Sequence, residues 1–215
     1  MIERHQSILF VVLLAASAIM GVALWRQLDR AHQRLLAGQD SAPTQAPTVT
    51  PAEQATLLVA NDADSSLITE TQSIPLPQDA GSRARVILGK LLDLYAVTDA
   101  THPVPGGAQA ITQVFLLPAP SLNPTADKQP DPKSNGPELA VVNLAGSFAA
   151  NHPSGIEAET LTIESICGTL HANLPRVTQV RFLVDGQVRP TLAGHADLTR
   201  TYLAADAVPT AGNHP

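Results

Sequence analysis

Cysteine is almost missing from this 215-residue chain, and aromatic residues and positive charge are scarce. The single Cys167 forbids an internal disulfide and rules out a zinc site built from thiolates. Aromatics make up 3% of the residues and the net charge is −6. That balance argues against a nucleic-acid partner, whose phosphates need a basic footprint and whose bases often stack on rings. A phosphate-cradling loop is missing as well. Gly89-Lys90 looks like the end of one, but Ala84 stands where its first glycine belongs and the pair falls inside a helical pattern. There is no G-x-S-x-G elbow either, since Gly146-Ser147-Phe148 lacks the second glycine. What the chain does hold is apolar residues, 44% of the total, and eighteen prolines. Its length suits one domain of ordinary size with a real core, plus appendages rich in irregular chain.

The longest uncharged run is Ile8 to Trp25, eighteen residues. At about 1.5 Å per residue it spans roughly 27 Å, close to the hydrocarbon core of a bilayer. Residues 8–25 are therefore expected to form a transmembrane signal anchor after a short tail, residues 1–7, with Trp25 and Arg26 at the interface. A cleaved signal peptide competes, because Ala16-Ser17-Ala18 has the small-x-small form of a cleavage site. The apolar run nevertheless continues unchanged to Leu24. No cysteine stands near enough for a lipid anchor. Orientation signals conflict. Arg26, Arg30 and Arg34 outnumber Arg4 and by the positive-inside rule would hold the body in the cytoplasm. A short tail before a hydrophobic anchor instead resembles an export signal. The expectation is a single-pass protein of the inner (cytoplasmic) membrane with its C-terminal domain outside the cytoplasm. Ser17 and Gly21 form a small-xxx-small pair, more simply read as two small residues in lipid. Residues 26–52 read as a helix end running to about Gly38 and then a Pro/Thr/Ala-rich tether, too poor in bulky apolar groups to fold.

From residue 53 to 203 the pattern is that of a folded domain. Thr56–Ala60 and Leu67–Thr71 read as short strands separated by an Asn61–Asp64 turn. Ala84, Ile87, Leu88, Leu91 and Tyr95 form the stripe of an amphipathic helix that Asp79 or Ser82 can cap. Val114–Leu117 and Leu139–Leu144 are near-continuously apolar, as central strands are. Between them the six-proline stretch 118–137 reads as a disordered insertion at a hairpin tip. Ser154 and Glu157 have the spacing of a capping box. Ile163, Ile166, Cys167, Leu170 and Leu174 give a second buried stripe, with Glu157, Glu159 and Glu164 facing away or toward the helix start. Val177–Val184 is a strand, Asp185-Gly186 a positive-φ turn, and Gln187–Leu192 its expected return strand. Residues 204–215 read as a flexible tail. Two helices packed on a mixed sheet of about six strands define an α+β fold.

This order of elements resembles the GerMN domain of bacterial sporulation and spore-germination proteins. The resemblance is carried by Leu139-Ala-Val-Val-Asn-Leu-Ala-Gly-Ser-Phe148, by the helix ending Glu164-Ser-Ile-Cys-Gly-Thr-Leu170, by Val177-Thr-Gln-Val-Arg-Phe-Leu-Val-Asp-Gly186, and by Gly194-His195-Ala-Asp197-Leu. It is strong over 138–200 and looser over 53–96. It implies a single such domain on an anchor, with a fold similar to the ring-building domains of secretion and sporulation complexes. It implies no enzymatic activity, no cofactor and no catalytic residues to carry over. The Pro-rich 118–137 insertion departs from the family pattern.

Few side chains suggest chemistry. Cys167 lies on an apolar stripe, where a core role is expected. Glu157 and Glu164 stand about 10 Å apart along a helix, at or beyond the reach of paired glycosidase carboxylates, and read as a solvated face. His102, His152 and His214 lie in loops beside proline and give no signal. Asp185, Gly186, Gly194, His195 and Asp197 are expected to be structural. His195 and Asp197 share one side of an extended segment and are the ligand candidates. No third group stands at metal-binding spacing, so no metal or cofactor is assigned. The leading reading is a non-enzymatic module of the cell envelope that binds or assembles through its surface or a sheet edge, with a protein partner or its own copies. The other is a cell-wall ligand binder or hydrolase using His195 and Asp197.

Overall fold

The computed structural model describes residues 52–120 and 136–207, with Ser17, 20–22 and 24–26 as exposed helical positions. Most of the expected anchor 8–25 lies outside the described residues. So do most of the tether, most of the 118–137 insertion, the tail beyond Ala207 and with it His214. Among the described residues no helix is long and apolar enough to cross a membrane. The chain divides into two units, Met1–Thr48 and Val49–Pro215, and the second holds the domain.

Among the described residues six strands form, but in two sheets rather than one. Strands β1 (Ala52–Asn61) and β2 (Ser66–Pro75) make an antiparallel hairpin whose register runs without a shift from Ala52 opposite Pro75 to Asn61 opposite Ser66. Strands β3 (Ile111–Pro118), β4 (Glu138–Leu144), β5 (Val177–Val184) and β6 (Tyr202–Leu203) form the second sheet in that spatial order. It is mixed: β4 and β5 run parallel, while the outer pairs are antiparallel. A parallel pair needs a crossover. Here the crossover consists of the short helix α2 (Gly146–Asn151), not expected from the sequence, and the long helix α3 (Ile156–Asn173).

Helix α1 (Ala80–Tyr95) starts where Asp79 accepts the Ser82 amide at 2.7 Å, and its stripe from Ala84 to Tyr95 is buried. Ala140, Val142 and Leu144 of β4 and Val180, Phe182 and Val184 of β5 point into the same core. On β3, Phe115 and Leu117 face outward, 44% and 48% exposed. The sheet order places β3 at an edge and not at a central position. Its apolar run belongs to a sheet whose second face is open.

Three local expectations fail for tertiary reasons. Helix α3 takes no capping-box bonds: its N-cap is Gly155, Ser154 turns toward His195, and Glu157 bonds the Ser65 hydroxyl. The Asp185-Gly186 turn forms, both residues having positive φ, but the return strand 187–192 is reduced to two isolated bridges, Gln187 to Val184 and Thr191 to Asp197. The far edge of β5 pairs with β6 instead. Residues 204–207 do not fray: they form a 3-10 turn with Ala204 and Ala207 buried against α3. Gly168 permits that contact, since a Cβ there would lie 2.5 Å from the Leu58 side chain and 3.1 Å from the Ala207 carbonyl.

Candidate functional site

Two places in the domain combine geometry with exposure, and helix α3 builds both. The first centres on Glu159. Helical spacing puts Glu159 four residues before Ile163, on the buried stripe, and its side chain is fully buried. The expectation that it faces away is overturned. Its Oε2 accepts the backbone N–H groups of Ala193 (3.0 Å), His195 (3.0 Å) and Ala196 (2.8 Å). Its Oε1 accepts the His195 Nδ1–H at 3.0 Å and the Gly155 amide at 3.3 Å. Gly194, at φ 126°, gives the loop the bend that wraps it around the carboxylate. Burial by itself would raise the pKa of Glu159. The three backbone donors and the imidazole outweigh burial and hold it down at about 2.

With its Nδ1–H donated to Glu159, the His195 ring is left with Nε2 unpartnered among the described residues, and 43% of its side chain is exposed. His195 lines a cleft of about 630 Å³ bounded by Glu164, Cys167, Asp197, Arg200 and Tyr202. The Arg200 guanidinium lies 4.3 Å from the centre of the Tyr202 ring. Asp197 does not join His195. Its carboxylate accepts the Thr199 hydroxyl (2.6 Å) and amide (2.8 Å), bonds that lower its pKa. Ser154 Oγ lies 3.4 Å from His195 Nδ1, the nitrogen already committed to Glu159, so the pair is not a nucleophile and its base. Cys167 at the cleft floor is fully buried, which pushes its thiol pKa well up and leaves it inert. Asp185 and Gly186 lie outside the cleft. Asp185 accepts the Gly146 amide at 2.8 Å, and the Gly186 amide donates to Asn143 at 2.7 Å, which pins the turn to the end of β4. Among the described residues no three His, Cys, Asp or Glu side chains gather to hold a metal.

The second place is the β1–β2 hairpin. On the side of β1 away from β2, five outward backbone groups between Thr56 and Ala60 meet side chains. Thr56 N–H donates to Asn173 Oδ1 (2.9 Å), Leu58 N–H to Thr169 Oγ1 (2.9 Å) and Ala60 N–H to the Tyr95 hydroxyl (2.8 Å). Asn173 Nδ2 donates to the Thr56 carbonyl and Thr101 Oγ1 to that of Ala60. Burial raises the Tyr95 pKa to about 12, which keeps the hydroxyl a neutral partner for Ala60 and Ser165. Next to this edge, His102 and His152 converge on the Thr162 hydroxyl at 2.7 and 2.8 Å, while His102 Nδ1 meets Asp62 at 2.5 Å. Both histidines, which gave no signal in the sequence, are buried structural groups.

The missed signal is a second stripe on α3. Thr162, Ser165, Thr169 and Asn173 recur at three and four residues, and all but the last are fully buried. Polar residues in helical register read as a solvated face, yet here Thr169 and Asn173 bond the strand edge, Ser165 bonds the Tyr95 hydroxyl and Thr162 the two buried histidines.

On the opposite side, β2 has no strand neighbour among the described residues: its sheet has two strands. In an antiparallel pair, residues opposite each other exchange both bonds or send both outward. Since Thr56, Leu58 and Ala60 point away from β2, their partners Thr71, Thr69 and Leu67 point away from β1, and so does Ser73 opposite Gln54. Thr69, Thr71 and Ser73 are exposed.

A two-layer α+β domain, with its buried polar groups engaged in closing loops and strand edges, is the class that these observations define. The chain belongs to the Germane family, described by sporulation and spore germination, whose family model matches residues 56–189. This is the GerMN-type domain that the sequence resembles. A crystal structure from Clostridium perfringens, described provisionally as a lipoprotein, is similar at 17% identity over 73% of this chain and 90% of that one, with a TM-score of 0.35. No curated protein matches the chain.

Proposed function

We propose that this protein is a non-enzymatic assembly module of the bacterial cell envelope, held at the inner membrane by residues 8–25, with the 53–203 domain outside the cytoplasm. It joins a complex by strand addition at β2. One observation carries this reading: β2 presents unpaired backbone groups along an exposed edge, while the other edge of the same hairpin is closed by dedicated side chains. Natural sheets blunt free edges with Lys, Pro, bulges or covering loops. Between Ser66 and Ile74, β2 contains no Lys or Pro, and its register has no bulge. Strand addition uses such an edge, drawing affinity from main-chain bonds.

The test is the assembled mass of the full-length protein after cross-linking in intact cells, compared with Thr71→Pro, which deletes one outward N–H. The expected result is collapse to the monomer mass with an unchanged melting temperature. An unchanged assembled mass would overturn the reading. Protease accessibility of a C-terminal tag in intact against permeabilised cells tests the location, and a tag exposed to the cytoplasm would refute it.

The fixed imidazole at the cleft supports a second reading, that His195 binds a cell-wall fragment as a hydrogen-bond acceptor. His195→Ala that keeps its stability but loses binding to muropeptides would favour it. Equal loss of folding would return His195 to the scaffold.

A further inference from the structure

We infer that the partner strand at β2 is β2 of a second copy, in antiparallel register with the twofold axis at Thr71. The inference rests on the strand-addition reading and names its occupant. In antiparallel pairing, residue i of one copy faces residue j of the other with i + j constant, and outward residues must meet outward residues for the ladder to form. The dyad of an isologous pair must therefore fall on a residue and not between two. Only a dyad at Glu70 or at Thr71 leaves all but one residue of Ser66–Pro75 paired.

The two registers bond equally, since both set outward residues against outward residues, and they differ in charge. A dyad at Glu70 sets that carboxylate, the strand's one charged group, directly against its copy, and like charges directly opposite destabilise a sheet. A dyad at Thr71 moves the two carboxylates out of register. It places Thr71 against Thr71, Thr69 against Ser73, Glu70 against Gln72 and Ile68 against Ile74. Thr–Thr and Thr–Ser hydroxyl pairs favour a ladder, and no like charges meet directly. Ile68, 44% exposed in the single copy, gains an apolar neighbour. At the ends Leu67 meets Pro75, whose missing N–H terminates the ladder. The strand is self-complementary in one register and repelled in the other.

The test uses single cysteines in the full-length protein under mild copper–phenanthroline oxidation. The native Cys167 is buried, and the unsubstituted protein is the control. Partners in a bonded antiparallel pair have Cα atoms about 5.5 Å apart, within disulfide reach. Thr71→Cys is expected to form a covalent dimer at least tenfold faster than Thr69→Cys or Ser73→Cys, whose own copies lie about 13 Å apart in this register. A mixture of the Thr69→Cys and Ser73→Cys proteins is expected to cross-link where neither alone does. Equal rates at the three positions, or a faster rate at Thr69 or Ser73 alone, would overturn the inference. If Thr71→Pro dissolves the assembly while Thr71→Cys fails to cross-link, another chain occupies the edge: the homotypic partner is refuted and strand addition stands. If Thr71→Pro leaves the assembly intact, both readings fall.

Discussion

The two long edges of the β1–β2 hairpin have the same backbone and opposite fates. Along β1 the outward groups are met by Asn173, Thr169, Tyr95 and Thr101, each projected from a neighbouring element at strand spacing. Along β2 nothing is supplied, and the chain lines that edge with threonine, serine and one glutamate. The contrast shows that a sheet can stop at two strands without leaving buried polar groups unpaired, provided a helix carries polar side chains in register with the strand. Glu159 repeats the device for the 193–196 loop. Backbone that faces the core is closed by side chains; backbone that faces solvent at β2 is available.

The sharpest way to break this contrast is to remove a closing group. Glu159→Ala would leave three loop N–H groups and the His195 ring without their acceptor, and is expected to cost about 4 kcal/mol, read from the denaturation midpoint. Acid should approach the same result without a mutation. Glu159 has a folded pKa of about 2 against an ordinary 4.5, so its stabilisation is complete above pH 4.5 and is lost as the pH falls toward 2, by about 3 kcal/mol in all. His152 works earlier in the same direction. Burial, first of all, lowers its pKa below 6.5, so the unfolded chain takes up the proton before the folded one does. Stability present above pH 6.5 therefore erodes below it, and His152→Gln should flatten that limb of a pH–melting curve. Asn173→Leu, which strips both the donor and the acceptor from the Thr56 position, is expected to cost about 2 kcal/mol, and Tyr95→Phe at Ala60 about 1 kcal/mol. Thr69→Ala on the open edge should change the monomer by less than about 0.5 kcal/mol. A loss at Thr69 as large as that at Asn173 would show the two edges to be equivalent, contrary to the structure.

Much of the fold was legible in the residues. The stripe from Ala84 to Tyr95, the Asp79 cap, the Asp185-Gly186 turn and the buried stripe from Ile163 to Leu170 all depend on local periodicity or a local dihedral preference. The α+β class was legible in the order of these elements, and the family through a resemblance of particular segments. The candidate site was legible only in part. His195 and Asp197 could be singled out as sharing one side of a segment, but the carboxylate that bonds His195 is Glu159, thirty-six residues earlier in the chain.

The sequence by itself determined the two long helices, the strands β1 to β5 and the Asp185-Gly186 turn, because helix and strand periods and positive-φ turns are written over a few consecutive residues. Only the tertiary structure decided that six strands divide into two sheets, that β3 is an edge, and that the polar stripe Thr162–Ser165–Thr169–Asn173 faces inward. The physical reason is that a polar side chain carries no mark of its partner. Whether a threonine on a helix meets water or a strand's N–H depends on what the rest of the chain brings to it, and for α3 that is an edge more than a hundred residues away.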